Sequence, residues 1–151
     1  MTVSSSTNKM VYNGDDSTTV FPYSFKIFED TDLEVTLELI SDGTQTTQTL
    51  STHYTVSGAG NANGGDVTFV TAPASTYKVV IRRVLPLTQL TDYVENDPLL
   101  AATLEEDHDR SIMIDQQQQE DIDRSFKATE TYTGSVEIPK AEANKVLGWN
   151  S

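Results

Sequence analysis

The chain has 151 residues, 36% of them hydrophobic, no cysteine, and 10 Lys and Arg against 23 Asp and Glu, for a formal net charge of −13. The length suits one domain with an appended element, and an apolar share below the roughly 45–50% of globular chains leaves part of it exposed, elongated or buried only against other subunits. The acidic surface makes nucleic acid and anionic membrane poor partners, while the lack of cysteine excludes disulfide frameworks and cysteine-based zinc sites and fits synthesis in a reducing cytosol.

Residues 1–8 are small and polar and read as a flexible lead, without the basic start and apolar block of a secretory signal. No apolar run approaches the roughly 20 residues that span a bilayer. From Met10 to Leu87 the pattern is strand, turn, strand. Val20 to Ile27 is rich in aromatic and branched residues, and Pro22 places this strand at an edge or makes it begin later. Leu33 to Leu39 alternates, with Leu33, Val35, Leu37 and Leu39 toward a core and Glu34, Thr36 and Glu38 toward water. Ser41-Asp42-Gly43-Thr44 predicts a hairpin turn, returning through Gln45 to Leu50. His53 to Val56 is a short strand, Ser57 to Asp66 a loop of turn formers, and Val67 to Val70 another strand. Tyr77 to Val84 is the last strand, with Tyr77, Val79 and Ile81 on one face and Lys78, Val80 and Arg82 on the other. The spacing predicts a small antiparallel β-sandwich or barrel.

The pattern changes at Asn96-Asp97-Pro98, a helix entry. Leu99 to Ala128 contains neither Gly nor Pro and includes the run Gln116-Gln117-Gln118-Gln119. Glu105, Glu106 and Asp107 come early and Arg124 and Lys127 late, the polarity that a helix dipole favours. A helix of about 30 residues is roughly 45 Å long. Its stripe is Leu104, Ser111, Ile114, Gln118 and Ile122, continuing to Ser125 or Phe126. That spacing is coiled-coil-like with polar core positions, which predicts a weak parallel bundle. A single helix packed on its own sheet is the alternative. The rest, 129–151, is a linker or docking segment in which Trp149 is either a frayed tail or a docking group.

Little in the chain is suited to catalysis, and no enzyme, cofactor or metal centre is expected. His53 at a strand start reads as structural. His108 stands among Glu105, Glu106, Asp107 and Asp109 on the helix, and three inward copies on a trimer axis could hold an ion, but a solvated acidic face is the default. Gly58 to Gly65 lacks the Lys and the helix start of a phosphate-binding loop, so a mobile surface loop is expected. Arg82-Arg83 is a basic pair that forms either ordinary intrachain ion pairs or a docking point on a partner protein.

Several marks recur in order: Tyr12-Asn13-Gly14-Asp15, Thr19 to Phe25, Leu33-Glu34-Val35, Tyr54 to Gly58, Gly65-x-Val67-Thr68-Phe69, Ile81-Arg82-Arg83, and Thr88-Gln89-x-Thr91-Asp92-Tyr93 ahead of the helix. Over about residues 9–127 this set resembles the N-terminal, tail-anchoring domain of the tail fibres and tailspikes of T-seven-type podoviruses. The resemblance implies a homotrimer attached to the phage tail near its adaptor and nozzle proteins. In such fibres, downstream parts bind or degrade surface polysaccharide or lipopolysaccharide. The run Asn144 to Ser151 resembles a linker at the point where a fibre would continue, so the chain is either an anchor to which a separate tailspike docks or one part of something larger.

The reading is therefore a β-rich tail-attachment domain over 9–95, a trimerisation helix over 96–128 and a short C-terminal segment over 129–151. The expected role is a structural virion protein, made in the host cytoplasm, that anchors the receptor-binding fibre to the tail. Expected tail-docking residues are Phe21, Tyr23, Phe25, Arg82, Arg83, Thr88, Gln89, Asp92 and Tyr93. The expected trimer seam is Leu104, Ser111, Ile114, Gln118 and Ile122. The alternative role is a soluble carbohydrate-binding or adhesin-like β module, which requires an exposed aromatic platform.

Overall fold

A computed structural model describes residues 3, 5–89, 91, 92, 100–125, 127, 131 and 133. Seven strands form two antiparallel sheets. The first has the order β1 (Lys9–Asn13), β7 (Tyr77–Arg83), β3 (Leu33–Leu39), β4 (Gln45–Thr47). The second has the order β2 (Val20–Tyr23), β6 (Gly65–Phe69), β5 (Tyr54–Val56). One helix, α1 (Ala101–Asp123), follows.

Strand β7 lies between β1 and β3, and its alternation sets both faces of the first sheet. Ile81 stands opposite Met10 and Val35, and Val79 opposite Tyr12 and Leu37. These rungs join Phe21, Tyr23, Tyr54, Val67 and Phe69 of the second sheet in a single core. Burying such side chains contributes about 1.5–3 kcal/mol each before chain entropy is subtracted. The other face of the first sheet carries the rungs Lys9–Arg82–Glu34 and Val11–Val80–Thr36. Arg82 opposite Glu34 and Lys78 opposite Glu38 are pairs of opposite charge that stabilise the register there, while Lys9 faces the like charge of Arg82.

The hairpin forms where expected. Gly43 has φ +75, its N–H donates to the Leu39 carbonyl at 2.8 Å, and the Thr44 N–H donates to Asp42 Oδ1 at 2.8 Å. Pro22 lies on the edge strand β2, opposite Asp66. That strand ends at Tyr23, earlier than the apolar run suggests, yet Phe25 and Ile27 continue into the core without ladder bonds. Strand β4 stops at Thr47, and His53 falls in a turn, where its Nδ1 accepts from the Thr49 N–H at 2.9 Å.

The glycine-rich segment is a packed turn, contrary to the expected mobile loop. Gly60 N–H donates to the Ile27 carbonyl at 2.8 Å, and Tyr23 Oη donates to the Ser57 carbonyl at 2.6 Å. Burial, with Asp30 and Asp66 nearby, pushes the Tyr23 phenol up to about 12, so it remains a donor. Gly64 has φ +81, and a Cβ there would lie 2.0 Å from the Tyr23 carbonyl oxygen. Gly64→Ala is therefore expected to cost about 3 kcal/mol through left-handed strain and backbone collision. A urea titration checks this, and a midpoint equal to that of the native chain would contradict it.

Candidate functional site

Helix α1 lies along its own β domain, the alternative that the sequence left open beside the stalk. Its strong helix formers and the lack of Gly or Pro explain why it forms. The entry expected at Asn96 to Pro98 lies outside the described residues. At the other end the helix gives way at Arg124, short of the expected Ala128. The dipole argument does not hold in detail, because the first turn has no acidic residue and the last no basic one. Instead Arg124 pairs back onto Glu120 and Asp121, and Lys127 onto Asp123.

The inward face is Asp109, Met113, Gln116, Gln117 and Glu120, spaced for one side of a helix. Met113 is its one fully covered apolar side chain, and the other contacts are polar. Lys26 Nζ pairs with Asp109 Oδ2 at 3.0 Å, and the Val3 N–H donates to Asp109 Oδ1 at 3.1 Å. The Phe28 ring lies under both Lys26 and Arg110, 4.7 and 4.1 Å from its centroid. Lys9 pairs with Glu120, and Arg82 bridges Glu34 at 3.0 Å and Asp121 at 3.4 Å.

Arg83 is 2% exposed at the centre of this contact. Its Nη1 donates to the Lys26 carbonyl at 3.0 Å and its Nη2 to Gln116 Oε1 at 2.7 Å, with the Phe25 ring centroid 5.7 Å from the guanidinium. Burial draws the guanidinium down to about 10, partly opposed by Asp32, so it remains charged at neutral pH. Gln116 Nε2 in turn donates to the Ser5 carbonyl, and Gln117 Oε1 accepts the Leu85 N–H at 2.8 Å. Two residues of the glutamine run thus tie the helix to the β domain. Ser5 and Asn8, in the segment expected to be a flexible lead, are also bound here. Asn8 Nδ2 donates to the Gln116 carbonyl, and the Asn8 carbonyl accepts the Arg83 N–H.

These placements correct part of the expected docking set. Phe21, Tyr23 and Phe25 are core side chains and offer no contact surface. Arg83 is buried, and Arg82 is occupied by carboxylates of this chain. Thr88, Gln89 and Asp92 are exposed. Tyr93 lies outside the described residues, as do Phe126 and Trp149 of the other expectations.

Thr88 and Gln89 meet the expected seam in one groove of about 420 Å³. Leu87, Thr88 and Gln89 form one wall, and Asp107, Arg110, Ser111, Ile114 and Gln118 the other. Thr91 Oγ1 donates to Asp107 Oδ1 at 2.6 Å and fixes the segment against the helix. Leu87 is 66% exposed and Ile122 50%. Leu104, Ser111, Gln118 and Ile122 lie on the side of α1 away from the β domain, with Ile114 at its margin.

His108 is exposed on the helix, and among the described residues no group of three His, Cys, Asp or Glu is placed to hold a metal ion. No helix among the described residues is long and apolar enough to cross a membrane.

No family model matches the chain. Over 117 residues, 78% of this chain, it is 38% identical to the tail spike protein of Salmonella phage epsilon15. The chain spans 11% of the length of that curated relative. This similarity supports a phage tail protein.

Two outcomes follow from the helix contact. Gln116→Ala leaves Arg83 Nη2 without its acceptor and is expected to cost about 2 kcal/mol. Hydrogen exchange should show α1 amides losing protection before those of β7, and equal loss in both would contradict this order of release. Burial raises the Glu120 carboxyl, but hydrogen bonds and charge from Lys9 and Arg124 outweigh it and hold the group below its ordinary 4.5. Its contribution is therefore complete above pH 4.5 and is lost as pH falls through the lower folded value. Stability measured against pH should drop in that acid window, and Glu120→Gln should flatten that part of the profile.

Proposed function

We propose that this chain is a structural virion component, an anchor that attaches a receptor-binding fibre or tailspike to the phage tail. The observation that carries the reading is the similarity to a phage tail spike protein across 78% of the chain. The anchor acts without catalysis and without a cofactor. It associates as a homotrimer, and its β domain meets the adaptor and nozzle proteins of the tail.

The outer stripe of α1 supports self-association on physical grounds. The helix carries eight Asp and Glu in Ala101–Asp123, yet Leu104, Ser111, Ile114, Gln118 and Ile122 bear no charge. Copies with a net charge of −13 repel one another, so a contact between them requires an uncharged seam. A basic partner would instead be met by the carboxylates. The groove wall at Leu87 to Gln89 extends that seam onto the β domain.

The carbohydrate-binding alternative is less well supported. Among the described residues every Tyr and Phe is buried or half-buried, which leaves no aromatic platform. Light scattering on the full chain tests the anchor reading: a trimer is expected, and Ile114→Asp with Ile122→Asp should yield monomers. A native chain that is monomeric at every concentration would remove the stalk from the proposal. Binding of the chain to fibreless tails, but not to a panel of bacterial glycans, would separate the two roles.

A further inference from the structure

We propose that the outer edge of β1 is a docking site for an extended segment of a partner protein, which adds as a further strand and turns a branched apolar side chain and a carboxylate toward the outer face of the sheet. The site is independent of the tail-anchoring role.

Strand β1 ends the larger sheet, so one side of its backbone faces β7 and the other faces outward. The Arg83 N–H donates to the Asn8 carbonyl and the Gly14 N–H to the Tyr77 carbonyl. By alternation, the main-chain groups of Met10 and Tyr12 also turn toward β7. Those of Lys9, Val11 and Asn13 point away, and among the described residues nothing bonds to them. An added strand can use all three N–H and all three C=O groups. The other edges offer less, because β4 and β5 have three residues each and β2 contains a proline. A lysine often guards such an edge, but Lys9 is drawn to Glu120 on the helix.

The neighbouring side chains set the chemistry of the occupant. Lys9 and Val11 line a groove of about 330 Å³ with Lys78, Val80 and Arg82 on the outer face. Val11 is 52% exposed beside Val80, an apolar spot that a branched side chain on the added strand would cover. Among the described residues Lys78 makes no ion pair, whereas Lys9, Lys26 and Lys127 each make one. Glu38 stands opposite Lys78 but acts on it only at longer range, and its carboxylate accepts from Gln45 Nε2 at 2.8 Å.

Asn13 lies between Lys78 and the open edge, and it is short, so a carboxylate on the added strand can reach across it to the ammonium. The charged lining of the groove is Lys9, Lys78, Arg82 and Arg124 against Glu34, Glu38 and Glu120. Four cations against three carboxylates make this groove slightly positive in a chain of net charge −13. An acidic strand is thus repelled less here than by the chain as a whole. On the inner face Met10 and Tyr12 pack against the core, and threonine suits the alternate positions beside them.

The test is titration of the full chain with a capped synthetic peptide in which threonine alternates with valine and glutamate, read by calorimetry and amide hydrogen exchange. Binding should protect the Lys9, Val11 and Asn13 amides and leave the edges of β2, β4 and β5 unchanged. N-methylation of the peptide at its edge-facing amides should abolish binding, because the side chains remain and the donors are lost. Lys78→Gln should weaken binding about threefold. Val11→Pro removes an N–H that the β1–β7 ladder does not use, and it should weaken binding at least about tenfold. The methylated peptide and Lys78→Gln probe the site without altering β1 itself. No binding at millimolar peptide, protection at another edge, or binding undiminished by N-methylation or by Lys78→Gln would overturn the proposal.

Discussion

The arrangement depends on one buried cation. Arg83 ends the central strand of the larger sheet, and its guanidinium reaches both a carbonyl of the segment that follows β2 and the side chain of Gln116 on the helix. Taking a cation out of water is expensive unless its donors are matched. Here the protein supplies one main-chain acceptor and one neutral side-chain acceptor beneath an aromatic ring, with Asp32 acting at longer range. Nε has no acceptor among the described residues. The cation therefore specifies where the helix lies more than it strengthens the fold. It acts beside the ion pairs of Lys26 with Asp109 and Lys9 with Glu120 and the Leu85–Gln117 bond, which fix the same position from the margins of the contact.

Most of the β domain was legible in the sequence because its signals are local. Leu33 to Leu39 and Tyr77 to Arg83 alternate with the two-residue period of a strand, and Asp42-Gly43 supplies the turn chemistry that joins β3 to β4. The edge position of β2 was readable from Pro22. The meaning of Arg82-Arg83 was not. Alternation placed the two on opposite faces, but it could not say that one would be enclosed by the helix and the other neutralised by it. The glycine-rich turn was misread for a related reason. Composition records the freedom of glycine in an unfolded chain, while the close approach of Gly64 to Tyr23 appears only once distant segments meet.

The helix shows why a hydrophobic pattern can point to the wrong side. Its apolar residues Leu104, Ile114 and Ile122 follow the expected stripe, but the side that contacts the β domain is marked by Asp109, Gln116, Gln117 and Glu120. A search for apolar periodicity finds the first face and overlooks the second. The signal that could have found it is the match between this polar series and the cations of the β domain: Lys9, Lys26, Arg82 and Arg83. The result is a helix with two different sides, one committed to contacts within the chain and one, bearing Leu104 and Ile122, exposed.

Pro22 carries a further implication for how the sheet meets other chains. Open sheet margins invite another strand to pair, the common start of amyloid-like aggregation. Strand β2 is such a margin, only four residues long. At its exposed proline the nitrogen has no hydrogen to donate, and the carbonyl already accepts Tyr12 Oη at 2.6 Å. Both main-chain groups at that position are thus closed to a stranger. Any chain that meets this edge can then touch it through side chains while the sheets stay apart.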